Sequence, residues 1–553
     1  MVRHILVAVA WPYASGSRHL GHLAGAYLPA DIFARFHRLS GNRTLMVSGS
    51  DVHGTPITVR ADGEGVHPQV IVDRYHHEFV NGWKALAIQW ELYTSTGTAN
   101  HHEVTQDIFR RLHENGFIDR RTSWQFYDPA LDRFLPDRYV EGICPHCAYL
   151  YARGDQCDKC GRTLDPVDLI KAISKLSGEQ PVQRETDHFY LRLSDFSERL
   201  EEWLRSRQGW RKHVLNFSLG WIEEGLQDRA ITRDIDWGID IPVEGLGEGK
   251  KIYVWFDAVI GYLSASKEWA KIQRQDEAWK DWWENPDAEH VYFIGKDNIP
   301  FHTIIWPAML LGYGGLELPT NVPANQYVTF RGGKASASRG IGLTIKGALC
   351  RYEPDALRYA LAANLPENSD TEVSEEELGR RINDELIATW GNLVNRVLSL
   401  TRANFDSQVP ERGEQSTEGA DLLAATGQTL DQVAAHIERV ELRAGLRTAM
   451  AGAARINAYL NATEPWKLVK TDPAQAATVL KNALDAINHL KVAFSPYLPV
   501  TSERLHSMIG LPGRLSDRGW EGAEVPAGTQ LGEIAPLYRK VDTSTLSNER
   551  VTD

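Results

Sequence analysis

The sequence predicts an α/β protein, in which a parallel sheet with helices on its faces is broken once by a cysteine-bearing insertion and then followed by an α-helical bundle. Three observations lead there. Residues 1–115 alternate apolar strand-like runs with helix-like segments. Residues 116–250 break the alternation with turn signals, many aromatics and a cysteine cluster. From about residue 388 apolar residues recur at helical spacing, as Leu386, Leu393, Val397 and Leu400 show.

Taken in order, residues 5–10 read as a first buried strand, because the apolar run passes directly into Trp11-Pro12-Tyr13 without the small-residue cleavage site of a signal peptide. Residues 23–39 read as a helix ended by Ser40-Gly41, and 44–48 as the next strand. Strand-like runs resume at 251–256 and 290–294, as if one sheet had been interrupted. This β-α-β alternation is Rossmann-like. Beyond it, 422–440, 445–460 and 474–494 are helical in pattern, 411–420 is a polar loop, and the tail after Leu546 is polar and expected to be disordered.

The chain has 553 residues, enough for about three or four domains. With 42% hydrophobic and 24% charged residues it has a globular balance, and no stretch approaches the ~20 apolar residues of a membrane span. The net charge of −13 excludes indiscriminate nucleic-acid binding through a broad basic surface, yet leaves room for a shaped RNA partner met by local basic clusters. The lack of targeting signals points to the cytoplasm.

Three motifs carry chemistry. PYASGSRHLGH at 12–22 follows the first strand and opens a helix. A helix N-terminus offers N–H groups and positive dipole to phosphate, Gly21 permits close approach, and His19 and His22 can donate to phosphate oxygens. Alone, the pair equally fits ordinary surface histidines. GGKASASRG at 332–340 is a glycine-rich loop with one lysine, able to close over a triphosphate, though such loops are commonly plain surface. Cys144, Cys147, Cys157 and Cys160 form two CxxC knuckles, the ligand set of a closed tetrahedral zinc site. His146 lies nearby but four thiolates suffice, so one structural zinc ion is expected; Cys350 reads as an ordinary residue.

The first two motifs, in this order, resemble the HIGH and KMSKS signatures of class I aminoacyl-tRNA synthetases. SDVHGTP at 50–56, YVWFDAVIGY at 253–262, FIGKDNIPFH at 293–302, FLPDR at 134–138 and WIEEGL at 221–226 sharpen the likeness to the methionyl-tRNA synthetase family, closest to its archaeal-type branch. The resemblance runs from Ile5 to about Val541. It implies ATP-dependent activation of L-methionine and transfer to tRNA(Met), with ATP and Mg2+ as substrate. It also implies a zinc knuckle in a connective insertion, matching the cysteines. The division it implies is a catalytic domain at 1–115 and 251–328, the insertion at 116–250, a KMSKS-like loop and stem-contact region at 329–387, and an anticodon-binding helical domain at 388–553.

By that resemblance His19, His22 and Lys334 hold the ATP phosphates, with Gly21, Gly295, Asp297 and Ala337 also at the nucleotide. Ala10, Trp11, Tyr13, Trp255, Ala258, Tyr262, Asn298 and His302 line the methionine pocket, and Asp51 meets the substrate ammonium. Asn392, Arg396 and Trp466 align with anticodon-reading positions. Without the resemblance, Trp255 and Tyr262 read as core packing, Asp51 and His302 as satisfied structural groups, and Asn392 and Arg396 as surface polar residues.

The sequence departs from the family pattern at Ala337, where a second lysine or a threonine is usual, and at Trp11 and Val259, where leucine and proline are common. Two other readings follow: a paralog making an aminoacyl adenylate or aminoacyl-tRNA for another pathway, and a non-catalytic tRNA-binding or regulatory protein. The sequence stops after the bundle, without an appended dimer-forming module, so a monomer is expected.

Overall fold

The computed structural model describes residues 2–157, 159, 160, 162, 164–330 and 342–542, together with the backbone of Gly333 and Lys334. Strand β1 (His4–Val9) is apolar on both faces and buried from Ile5 onward, as a strand covered on both sides must be. The chain then forms a short helix α1 (Leu20–His22), a π-helical turn (Leu23–Tyr27) and α2 (Leu28–Leu39). It returns as β2 (Arg43–Ser50), parallel to β1, and β3 (Leu92–Ser95), parallel to β2. Helix α3 (Ala99–Glu114) leads out of the sheet.

In the insertion, β4 (Ile118–Asp128) and β5 (Val182–Leu191) make an antiparallel ribbon with Ile118 opposite Leu191. A separate three-stranded sheet of Val140–Ile143, Ala152–Arg153 and Ile170–Ser174 carries the cysteines between its strands. The run 251–256 is not a single strand. Lys251–Ile252 pairs with Thr232–Arg233 outside the main sheet, and α4 (Val254–Ile272) starts two residues later. A short apolar run fits either state, and this helix is buried nearly all round, so no polar stripe betrays it.

Strand β6 (Glu289–Gly295) then inserts on the other side of β1, and β7 (Ala324–Asn325) extends it, giving the order β7–β6–β1–β2–β3 with every pairing parallel. The order reverses between β1 and β6, so the crevice at their carboxyl ends is where such a sheet binds ligands. Strands β8 (Val328–Phe330) and β9 (Gly333–Lys334) form a small hairpin beyond it.

Helix α5 (Pro354–Ala362) ties this half to a bundle of α6 (Asn392–Asn404), α7 (Thr417–Glu438), α8 (Leu442–Thr463), α9 (Pro465–Thr471) and α10 (Pro473–Phe494). The polar stretch 411–420 is loop only as far as Ser416, whose side chain caps α7 by accepting from the Gly419 amide. After the bundle the chain returns to the catalytic half, where the Trp520 amide donates to the Leu39 carbonyl at 2.8 Å and its ring meets Phe36 edge-on. Tail residues 543–553 lie outside the described residues. No helix among the described residues is long and apolar enough to cross a membrane.

One buried cation fastens the two halves. The Arg358 guanidinium pairs with Asp31 on α2 at 2.7 Å and donates to the carbonyls of Leu86, Pro496 and Tyr497 at 2.8–3.2 Å. Asp31 is fully buried, and Arg35 and Arg358 outweigh the effect of burial to hold its carboxyl below the usual range. Removing one partner of such a pair strands the rest, so Arg358→Ala should cost about 3–5 kcal/mol. Denaturant unfolding checks this; an unchanged midpoint contradicts it.

Candidate active site

The loop leaving β1 is clipped to the end of β2. The Ala14 amide donates to the Asp51 carbonyl and the Asp51 amide to the Pro12 carbonyl, both at 2.9 Å, while the Ala10 amide reaches Phe293 of β6 at 3.1 Å. Just beyond, His19 caps α1: its Nδ1 accepts from the Gly21 amide at 3.1 Å, and His22 Nδ1 accepts from the His19 amide at 3.3 Å. The rings lie 3.8 Å apart between centroids. With its Nδ1 accepting, a neutral His19 ring carries its hydrogen on Nε2. Arg18 Nη1 stands 3.4 Å from His22 Nε2, so a fixed cation sits beside the two imidazoles at the helix mouth, as suits an anion site.

Of the two described flanks of the glycine-rich segment, one pairs with β8 and the other with this mouth. On one side the β9 backbone pairs Lys334 with Thr329 of β8. On the other, the Leu20 amide donates to the Leu343 carbonyl at 3.0 Å and the Ile345 amide to the Arg18 carbonyl at 2.8 Å, with a bridge between His19 and Thr344. Ala337 and the Lys334 side chain lie outside the described residues. At the end of β6, Gly295 caps a 3-10 turn (Lys296–Asn298), and a Cβ there would meet no atom within 4 Å, which leaves room for a flat ligand. Asp297 accepts from the Tyr327 hydroxyl, and Lys296 pairs with Asp370 at 2.8 Å.

The expected methionine-pocket residues surround the same strand ends. On α4, Trp255 meets Phe301 edge-on at 4.8 Å, Ala258 is half-buried one turn along, and Tyr262 is buried. The Tyr262 hydroxyl bonds His302 Nε2 at 2.7 Å, and His302 Nδ1 donates to the Asn298 carbonyl at 2.8 Å. The ring is thus held neutral, and burial pushes it down to about 4. Ala10 presents its carbonyl to the Tyr27 hydroxyl at 3.1 Å, and Tyr13 packs so closely on Gly54 that a Cβ there would sit 2.2 Å from its ring. Trp11 fills a slot left by two glycines: a Cβ at Gly49 would lie 2.2 Å, and one at Gly261 2.5 Å, from its indole. These two glycines therefore accommodate the bulk at this unusual position.

Asp51 is buried, and its carboxyl is raised well above the usual range, first by burial and then by the charge of Asp257. Asp257 is fully buried too, but His53 and His101 outweigh burial and hold it at about 2. Sequence reasoning assigned Asp257, His53 and His101 no role. The available signal was an acid inside the apolar helix segment YVWFDAVIGY.

The four cysteine sulfurs lie within 4.8 Å of one another, with Cys144–Cys160 at 3.9 Å and Cys147–Cys157 at 3.6 Å. Thiolates at ~2.3 Å from one tetrahedral ion stand ~3.8 Å apart, so the set could hold zinc. His146 is exposed and outside the set, and Cys350 is exposed. Far from the cleft, exposed Asn392 opens α6, Arg396 is held by Asn457 at 2.7 Å and Asn461 at 3.4 Å, and its guanidinium lies 5.9 Å from the half-buried Trp466 ring.

A parallel sheet with a histidine-capped helix mouth, a glycine-rich segment tethered to it and a helical domain behind defines a class I aminoacyl-tRNA synthetase. A family model described as "tRNA synthetases class I (M)" matches residues 5–398, and "Anticodon binding domain of methionyl tRNA ligase" matches 409–548. The methionine–tRNA ligase of Roseiflexus castenholzii is 50% identical across 99% of this chain and 98% of its own. One from Dehalococcoides mccartyi is 50% identical across 99% of each. In fold, the chain matches Mycobacterium tuberculosis methionyl-tRNA synthetase in complex with methionyl-adenylate, at TM-score 0.80 and 24% identity over 97% of this chain and 100% of that one. The chain belongs to the methionine–tRNA ligase family.

The neutral His302 ring sets a pH dependence. Its folded value lies below the ordinary 6.5, so the unfolded chain takes up the proton first. The stability it contributes is complete above pH 6.5 and lost as pH falls toward 4, by roughly 3 kcal/mol. His302→Asn should flatten that acid slope in unfolding measured from pH 7 to 4; an unaltered slope contradicts the neutral, buried ring.

Proposed function

We propose that the cleft at the ends of β1 and β6 carries out the family's two-step reaction with the following division of labour. The methionine carboxylate attacks the α-phosphorus of ATP, the bond to pyrophosphate breaks, and a terminal ribose hydroxyl of tRNA(Met) then displaces AMP from the acyl carbon. No protein nucleophile is needed, so catalysis rests on positioning and on donors aimed at the growing phosphate charge. His19 and His22 supply those donors, and Gly21 leaves space beside them. Lys334 reaches the triphosphate, which comes with Mg2+; Ala337 adds no side-chain bond there. Gly295 and Asp297 hold the adenosine. Asp51 takes the ammonium, while Ala10, Trp11, Tyr13, Trp255, Ala258, Tyr262, Asn298 and His302 enclose the thioether, with aromatic faces suited to polarizable sulfur.

The observation that carries this reading is the tether of Leu343 and Thr344 to the His19 turn, which supports a phosphate mouth within reach of the glycine-rich segment. Asn392 and Arg396 read the anticodon edges and Trp466 stacks on a base. The cysteine set holds one structural zinc ion, which would rigidify the insertion; Cys144 and Cys157 supply its buried side. The proposed division is 1–115 with 251–328 for catalysis, 116–250 for the insertion, 329–387 for the loop and stem contact, and 388–553 for the anticodon. A cytoplasmic monomer completes the proposal, and the quoted segments support placing it on the archaeal-type branch. A paralog serving another amino acid is the second reading, favoured by Trp11 and Val259 beside the pocket.

Pyrophosphate exchange into ATP across the twenty amino acids decides between them, with methionine expected to dominate; any other clear preference displaces the first reading. In the same preparation, Trp466→Ala should lower charging of a CAU-anticodon tRNA about ten- to hundredfold, the worth of one stacked base, while exchange stays within about twofold. Normal charging refutes the anticodon assignment.

A further inference from the structure

Two carboxylates share one dry space beneath the proposed ammonium site, and only one of them touches the substrate in the reading above. Asp257, on α4, is held from both sides: His53 Nδ1 lies 2.7 Å from one oxygen and His101 Nε2 2.7 Å from the other. His101 is itself fixed by Ser264 Oγ at 2.7 Å and by Thr105 Oγ1 at 3.2 Å. His53 reaches in the other direction, its amide donating to Asp51 Oδ1 at 3.2 Å. The Val52 carbonyl between them accepts from Trp237 Nε1 at 2.6 Å, and the Val52 amide donates to Thr96 Oγ1 at 2.9 Å.

The geometry points to Asp257, clamped by His53 and His101, as the positioning residue of the ammonium site: it fixes the Asp51 turn against the helix that carries Trp255, Ala258 and Tyr262, and sets a second negative charge behind Asp51. The inference rests on the reading that Asp51 meets the ammonium. A purely structural clamp has no use for charge next to another buried acid, because like charges in a low-dielectric space repel. An arriving ammonium relieves that repulsion. The site is thus arranged for a cation, and Asp257 links α3, α4 and the β2 turn.

The test is steady-state pyrophosphate exchange by the full-length enzyme, varying methionine and ATP separately. Asp257→Asn keeps the shape and removes the charge. It should raise the methionine KM about tenfold or more, the loss of one buried charged contact, while kcat and the ATP KM stay within about threefold. His101→Gln, which breaks one of the two bonds and serves if the first variant does not fold, should raise the methionine KM about threefold by the same logic. An unchanged methionine KM, or parallel loss in kcat and both KM values, overturns the proposal. Asp51→Asn run alongside separates the two claims. If it leaves the methionine KM unchanged, the Asp51 reading fails; if it raises that KM and Asp257→Asn does not, only the positioning role fails.

Discussion

The site depends on the two-bond clip between the loop after β1 and the turn after β2. Through the Ala14–Asp51 and Pro12–Asp51 backbone bonds, the strand end leading to His19 and the strand end carrying Asp51 become one rigid edge. Backbone bonds of this kind leave no rotamer to search, so the separation of the His19 turn from Asp51 is set by the backbone itself. Everything else attaches to that edge. Leu343 and Ile345 dock on Arg18 and Leu20, Ala10 reaches β6, and His53 carries the edge across to α4.

Electrostatics divide the cleft in two. At the helix mouth, the Gly21 and His19 amides donate to the imidazole Nδ1 atoms and Arg18 stands beside His22, the polarity a polyphosphate needs. Below it, Asp51 and Asp257 crowd two acids into a buried space, the polarity an ammonium needs. In the proposed reading, methionine and ATP meet opposite fields across one clip. The side to which the proposal assigns the thioether is neutral instead: His302 is fixed uncharged between Tyr262 and Asn298.

The parallel sheet, the bundle and the cysteine cage were legible in the sequence because their signals are local. Continuous apolar runs, helical spacing and two CxxC pairs each announce themselves within a few turns of chain. Residues 251–256 misled because an apolar helix buried on all sides has the look of a buried strand. The Asp257 clamp was illegible for a different reason: its histidines stand 204 and 156 residues away, and only the closed sheet brings them together. The Arg358 hub is of the same kind, drawing carbonyls from positions 139 and 272 residues distant. Trp11 stood out only as a departure from the family's usual leucine; Gly49 and Gly261, each innocuous alone, make its slot.

The central claim is that the helix mouth and the tethered glycine-rich segment grip one polyphosphate as a unit. A double-mutant cycle with His22→Asn and Lys334→Ala in methionine-dependent pyrophosphate exchange measures this directly. The account predicts that the double variant loses at least about tenfold less than the product of the single losses, because groups acting as a unit are not additive. Losses that simply multiply would show two independent contacts and contradict it.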